Sequence, residues 1–331
     1  MAVLANQKIL TLDYWKRADQ VQEGDLLLDR NGQPAKVTLI QKYTPTHCYE
    51  VQFSDHLTVA GDDKLGFVVE NHNDRIKESR YKGVLPRQRQ YQIKHISDLL
   101  SEPLHNPVQH HFIYSVPTTQ PLQLPHQDLP IPPFIFGFWF FNRKKAKHMV
   151  AFEGFQDGVH EAFRDAGYKV KLGRHYKQLR YEFTVTPKIE MQLAPMVPMR
   201  IPNNYLMGSY EQRLELLKGI LQAKHRQYNP RTKVFRITNI NEALVRQCQW
   251  LVESLGHKTT FFSHPLVNNH TLTFKSRLHL IPNQIPPTKK RVLARRQIRD
   301  IYEIKQQPCV HIETTGDRGT FSVGEGFISC L

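Results

Sequence analysis

What most restricts the fold of this chain is a change of hydrophobic period that occurs twice. Over residues 1–70, apolar residues alternate in short runs broken by turn signals. Over 134–285, helical spacing alternates with strands. Over 286–331, short strand runs return. β-rich ends therefore flank an α/β centre, and one domain inserted into another accounts for that order better than three domains in a row.

The N-terminal runs are specific. Asp25-Leu-Leu-Leu-Asp29 is followed by Asn31-Gly32 and then by Ala35–Ile40. Asn-Gly between two such runs predicts a hairpin with positive φ at both central residues. Cys48–Phe53 and Leu57–Ala60 predict the next hairpin. Residues 71–100 are basic and polar, with Arg75, Lys77, Arg80, Lys82, Arg87, Arg89 and Lys94. The stretch 116–133 is Pro-rich and is expected to be an extended linker.

In the centre, Leu214, Leu217, Ile220 and Leu221 predict a helix over Tyr210–Lys224. A second is predicted over Glu242–Leu255, stopped by Gly256. Pro132–Phe141 is apolar all round and too short to span a bilayer, so it is a buried element or an interface. Glu161–Val170 and Trp250–Thr259 resemble each other: each is a helix end, a glycine and a strand. They suggest an internal two-fold repeat of an α/β unit. At the C-terminal end Ile298–Ile304, Cys309–Glu313 and Thr320–Val323 predict strands.

Composition adds little but points one way. The 331 residues carry a net charge of +15, which suits a polyanionic partner such as nucleic acid. The four cysteines, Cys48, Cys248, Cys309 and Cys330, lack CxxC spacing, and a metal site or a disulfide framework is not expected. They are expected to be reduced thiols in a cytoplasmic compartment. The 17 histidines are scattered, and the adjacent pair His110-His111 is expected to be a surface or strand feature. No signal peptide or membrane span is predicted.

Several segments then resemble a known family. Leu10–Trp15 and Val21–Asp25 resemble the first splicing block of inteins, Asn31–Val37 continue the match, and Gly324–Ile328 resemble the last block. Between them, Leu122–Pro125 and Asp128–Trp139 resemble the lead-in and first LAGLIDADG helix of intein endonucleases, and Arg213–Leu221 resemble the second. On these segments, in this order, the chain resembles an intein (Hint) domain with an inserted LAGLIDADG homing-endonuclease domain. The nearest flavour is that of phage terminase and replicative helicase inteins. The resemblance implies a β-rich, horseshoe-like Hint domain split by an α/β LAGLIDADG domain with pseudo-two-fold symmetry. Residues 1–115 would be the N-terminal Hint half with its basic insertion, and 116–133 the linker. Residues 134–285 would be the endonuclease-like domain, and 286–331 the C-terminal Hint half. Gly137 and Gly219 are expected where the two LAGLIDADG helices approach closely.

The resemblance also says which positions should carry chemistry, and each holds another residue. The splicing nucleophile aligns with Ala2, and the chain is expected to be free-standing, with no preceding segment to join. The activating His aligns with Lys64, whose ammonium is a poor near-neutral proton donor. The last-block His aligns with Leu331, the cyclising Asn is missing, and Cys330 is expected to be a small buried residue. In the endonuclease-like part, the two metal-binding carboxylates align with Asn142 and Lys224, while Glu153 and Asp157 belong to another segment.

A LAGLIDADG pair implies a curved β saddle that lies in the DNA major groove, and this surface needs no catalytic acid. Candidate DNA contacts are Arg143, Lys144, Lys145, Lys147, Lys169, Lys171, Arg174, Lys177, Arg180, Lys224, Lys233 and Arg236. Alternation in Lys169–Lys171 and Lys233–Arg236 predicts strands with one basic face. The expectation is a catalytically inactive protein that binds double-stranded DNA. It would hold no cofactor or metal, with Mg²⁺ entering only if cleavage survives. The alternatives are a structural or interaction subunit of a larger, phage-type assembly and a still-active endonuclease.

Overall fold

The computed structural model describes residues 2–73, 91–142, 149–153, 158–175, 178–184, 200–223, 226–264, 267–282, 284–285 and 295–331. For 149–153, 169–175, 178–184 and 226–227 it describes the backbone. The chain divides into two compact units, one of Met1–Gln123 with Val292–Leu331 and one of Leu124–Arg291.

The split unit begins with β1 (Ala2–Leu4), β2 (Lys8–Thr11), β3 (Tyr14–Arg17), β4 (Leu26–Leu28), β5 (Pro34–Tyr43), β6 (Cys48–Phe53), β7 (Thr58–Gly61) and β8 (Gly66–Asn71). It continues through β9 (Gln92–His95), α1 (Ile96–Ser101), β10 (His105–Asn106), β11 (His111–Phe112) and β12 (Tyr114–Pro117). The inserted unit holds α2 (Pro133–Asn142), β13 (Met149–Glu153), α3 (Val159–Asp165), β14 (Lys169–His175), β15 (Gln178–Thr184), α4 (Asn203–Leu206) and α5 (Tyr210–Gln222). It ends with β16 (Arg226–Asn229), β17 (Val234–Asn239), α6 (Glu242–Ser254), β18 (Thr259–His264) and β19 (Asn269–Phe274). The split unit resumes with β20 (Arg295–Ile304), β21 (Cys309–Thr314), β22 (Phe321–Val323) and β23 (Ile328–Cys330).

Fourteen strands of the split unit form one sheet. Its path runs β12-β20-β6-β7-β1-β21-β5-β4-β2-β22-β23-β8-β9, with β3 beside β2, and it closes on itself because β12 also pairs with β8. Closure hides the strand edges that an open sheet would leave unpaired. Inside lie Val3, Ile9, Val51, Phe53, Phe67, Ile298, Ile312, Phe321 and Ile328, contributed by both sequence ends. Neither end has this core alone.

The Asn31-Gly32 hairpin forms, but not as a two-residue turn. Leu28 pairs with Pro34, and only Gly32 of that dipeptide has positive φ, +74°. The Asp29 carboxylate organises the wider turn by accepting from the N–H groups of Asn31 (2.9 Å) and Gln33 (2.8 Å). A side-chain acceptor at the turn entrance thus replaces the second positive φ. The Cys48–Phe53 hairpin with β7 is as expected.

The Pro-rich stretch is not a free spacer. Tyr114–Pro117 lies in the sheet, Gln120 and Gln123 donate to the carbonyls of Arg30 and Gly32, and Leu122 is fully buried. Prolines keep the segment extended, while the remaining N–H groups and leucines tie it down.

In the inserted unit the two-fold repeat is visible in the topology. The first sheet has the order β13-β15-β14, and the second contains β17-β19-β18 with β16 added at its edge. Each half runs strand, helix, glycine with φ of +84° (Gly167) or +81° (Gly256), strand, strand.

Candidate functional site

Two places gather the positions singled out in the sequence, one in each unit. In the split unit, β1 and β23 both end at the Gly61–Gly66 segment. The Ala2 N–H donates to Asp62 Oδ1 at 3.1 Å, and the Asp62 N–H donates to the Ala2 carbonyl at 3.0 Å. On the other side, Leu331 and Gly66 exchange both backbone hydrogen bonds, at 3.0 and 2.9 Å. A side chain at Gly61 would collide with the Ala2 carbonyl. Ala2 and Leu331, expected from the resemblance to stand at the first and last positions, are thus both bonded to one short turn.

Lys64 belongs to the same turn but is exposed. The side chain that reaches the Ala2 peptide is Asp62, which sequence comparison passed over in favour of Lys64. The available signal was the acidic doublet Asp62-Asp63 at the exit of an apolar strand. Asp62 is buried and its second oxygen accepts from Tyr43 Oη at 2.5 Å. Burial, with the Asp62 carboxylate close by, holds the Tyr43 phenol well above its usual range.

Ala2 carries only a methyl group and Leu331 an isobutyl group. The neighbouring thiol of Cys330 is fully buried in the core, which pushes its pKa up and makes it a poor nucleophile. The rings of the first and last block-like segments meet: Trp15 stacks on Phe327 with centroids 5.8 Å apart.

The second place is the pair α2 and α5 of the inserted unit. α2 buries Ile135 to Asn142 without a break, so its all-round apolar surface is core. Phe136 stacks on Tyr205 at 4.1 Å, and Phe138 meets Phe163 edge-on at 5.6 Å. A Cβ on Gly137 would sit 2.6 Å from the Leu216 carbonyl oxygen, and one on Gly219 would collide with the Phe134 carbonyl. The two helices therefore touch backbone to backbone at these glycines.

At the C-terminal end of α2, Asn142 is buried and its Nδ2 donates to the Phe138 carbonyl at 3.0 Å. Lys224, the aligned position at the end of α5, lies outside the described residues, as do Arg143, Lys144, Lys145, Lys147, Lys177 and Asp157. The backbone places Lys169, Lys171 and Arg174 on β14, and Arg180 on β15 opposite Gly173. Lys233 is not on a strand: it occupies the β16–β17 turn with φ of +57°, its N–H bonded to Asn229 O at 2.7 Å. Arg236 lies three positions further on, an odd step, and a period of two could not have put both on one face.

Arg236 is exposed on β17, between buried Phe235 and Ile237. The register aligns Arg236 with Thr273 and Thr273 with Thr260, and next to this row Thr238, Thr271 and Phe262. These residues lie on the face opposite α6, whose side holds Phe235, Ile237, Leu272 and Phe274. Phe262 is 57% exposed, a large exposure for an aromatic ring. Sequence reasoning picked Arg236 but missed the threonines and Phe262, because it looked for charge alone.

One further polar group was missed. Arg213 on α5 is fully buried; its Nε donates to Gly208 O at 2.9 Å and its Nη1 to Ser254 O at 2.7 Å. Burial lowers its pKa to about 10. Ser254 ends α6, so the guanidinium serves a helix C-terminus. Among the described residues, no cluster of three or more His, Cys, Asp or Glu could hold a metal ion, and no helix is long and apolar enough to cross a membrane.

A closed β unit whose two ends meet at one turn is interrupted here by an α/β unit built on two glycine-packed helices, and the chain is similar to inteins and to LAGLIDADG homing endonucleases. Over 253 residues the chain is 24% identical to the replicative DNA helicase DnaB of Mycobacterium intracellulare. The match covers 74% of this chain, which spans 40% of that relative's length. Among solved structures, the MchDnaB-1 intein is 26% identical over 20% of this chain and 52% of its own, with a TM-score of 0.20. The homing endonuclease I-DmoI in complex with DNA and Mn is 13% identical over 44% of this chain and 88% of its own, with a TM-score of 0.33. No protein-family model matches the chain.

Proposed function

We propose that this protein binds double-stranded DNA through the sheet faces of its inserted unit and carries out neither splicing nor DNA cleavage. The observation that carries the first half is the row Arg236–Thr273–Thr260 with Phe262 beside it, on the face opposite α6. A guanidinium there can contact phosphate or guanine. Threonines can hydrogen-bond to base edges or meet a thymine methyl, and an exposed ring can stack or pack. The net charge of +15 supports the same partner.

The second half rests on residue chemistry. Ala2 and Leu331 supply no nucleophile and no proton-transfer group. A divalent metal at the foot of α2 would meet the amide of Asn142, whose nitrogen is already bonded to Phe138 O. The Asn142 amide is a poor ligand for a hard cation that takes carboxylate oxygens, and no step is routed through one.

The test is binding of the purified protein to mixed-sequence duplex DNA across a salt series with Mg²⁺ present, with cleavage scored on the same gel. The expected result is binding that weakens steeply with salt, intact DNA, and for Arg236→Ala a lower affinity with a salt slope smaller by about one. No binding at low salt would overturn the DNA partner and favour a protein one. Cut DNA would overturn the inactive assignment.

A further inference from the structure

Two thiols from opposite ends of the sequence meet inside the split unit. Cys48 opens β6 and Cys309 opens β21, and both side chains are buried. Their sulfurs converge on one backbone carbonyl. Gln307 O lies 3.6 Å from Cys48 Sγ and 3.7 Å from Cys309 Sγ, and the Gln307 N–H points at Cys48 Sγ from 3.4 Å. Beyond burial, the nearness of Cys48 adds to the rise in the Cys309 thiol pKa. Ala2, Leu4 and Ala60 complete a small apolar cluster around the pair, separate from the main core. A surface hollow of about 460 Å³, whose walls include Ala5, Lys42, Tyr43, Gln307 and Cys309, leads to it from solvent.

The other two cysteines lack this setting. Cys330 directs its sulfur at Ile328 O within the main core, and Cys248 is buried on α6 of the inserted unit.

We propose that Cys48 and Cys309 form a reversible dithiol–disulfide site. A small disulfide such as oxidised glutathione would convert it to a cross-link between the N-terminal and C-terminal segments of the split unit. One cysteine thiolate attacks a sulfur of the oxidised glutathione, whose S–S bond breaks, and the first glutathione leaves as a thiolate. The second cysteine gives up its proton to water and attacks the protein sulfur of the mixed disulfide, releasing the second glutathione. The two protein thiols lose two electrons, and the glutathione disulfide is reduced to two thiols.

The hollow supplies the entry, and the shared carbonyl holds the two sulfurs together for the second attack. Burial raises the Cys309 pKa to about 12, so the exchange is slow at neutral pH and the test belongs at mildly alkaline pH. The loop so closed runs from β6 to β21 and contains the whole inserted unit, which makes the loss of unfolded-chain entropy large. Leu4 pairs with Cys309 and Val3 with Gly61, so the cross-link also confines β1, which carries Ala2.

The full-length protein is incubated with oxidised glutathione, alkylated, and digested without reduction. The expected result is one linked peptide pair joining Cys48 to Cys309 and the loss of two of the four thiols to alkylation after denaturation. The thermal midpoint should rise by several degrees and fall back on treatment with dithiothreitol. Cys248→Ser should keep the cross-link, and Cys48→Ser should abolish it. A glutathione adduct at either cysteine without the link would overturn the proposal. So would four free thiols under conditions that cross-link the unfolded protein. Mapping of the wild-type protein decides the matter even where Cys48→Ser fails to fold.

Discussion

At the scale of single residues, Arg213 is a buried charge held against backbone, where it donates to two carbonyls. Its removal leaves both acceptors without their donor as well as a void. Arg213→Ala is expected to destabilise the inserted unit by about 2–4 kcal/mol, read from denaturant unfolding. Arg213→Lys should recover less than half of this, because an ammonium lacks the fork that spans both carbonyls.

His257 follows Gly256 after α6, stacked on Phe274 and within 3.3 Å of Ser276 Oγ. Burial lowers its pKa from 6.5 to about 4. The folded state therefore keeps it neutral while the unfolded chain takes up a proton below pH 6.5. The stability from the neutral ring is complete above that pH and is lost as the pH falls through the window down to about 4. A loss on the order of 2 kcal/mol across this window is expected, and His257→Gln should flatten that part of the stability–pH profile. An unchanged profile would show that the ring is not held neutral.

At the scale of elements, α2 and α5 owe their spacing to two absent side chains. Alanine is the better helix former by about 1 kcal/mol, yet the atoms a methyl would meet are backbone carbonyls, which cannot rotate aside. Gly219→Ala and Gly137→Ala are each expected to lower stability by about 1–3 kcal/mol, measured as a fall in the thermal midpoint. A rise would mean that the helices can separate freely. Strands and helices themselves were readable from period alone: α5 and α6 and the strands β6, β20 and β21 lie where the apolar spacing predicts them. Turns were less so. The Asn31-Gly32 hairpin was foreseen, but its geometry depends on the Asp29 carboxylate, which a dipeptide rule does not see. Lys233 was placed on a strand because charge spacing was counted without locating the turn that Asn229 begins.

At the scale of the whole molecule, the insertion leaves and returns through neighbouring strands: Pro117 on β12 pairs with Arg295 on β20. Chain ends already held side by side can carry a long insertion at little cost in closure entropy. Replacing residues 124–291 by a short Gly/Ser linker is therefore expected to leave the split unit folded, with strand-type circular dichroism and one cooperative thermal transition. A product that fails to fold would show that the β core relies on the insertion.

The sequence by itself determined that β-rich ends enclose an α/β centre and that the centre repeats, while the glycines at the helix contact were expected from the family resemblance. The first two are properties of local period, which short segments express without their partners. Only the tertiary structure decided that Asp62, not Lys64, reaches Ala2, that Cys48 and Cys309 share one carbonyl, and that Arg236 lies in a row with threonines and Phe262. Each of these depends on strand register between segments far apart in the chain. Register is selected by packing of the whole core, which no short stretch of sequence contains.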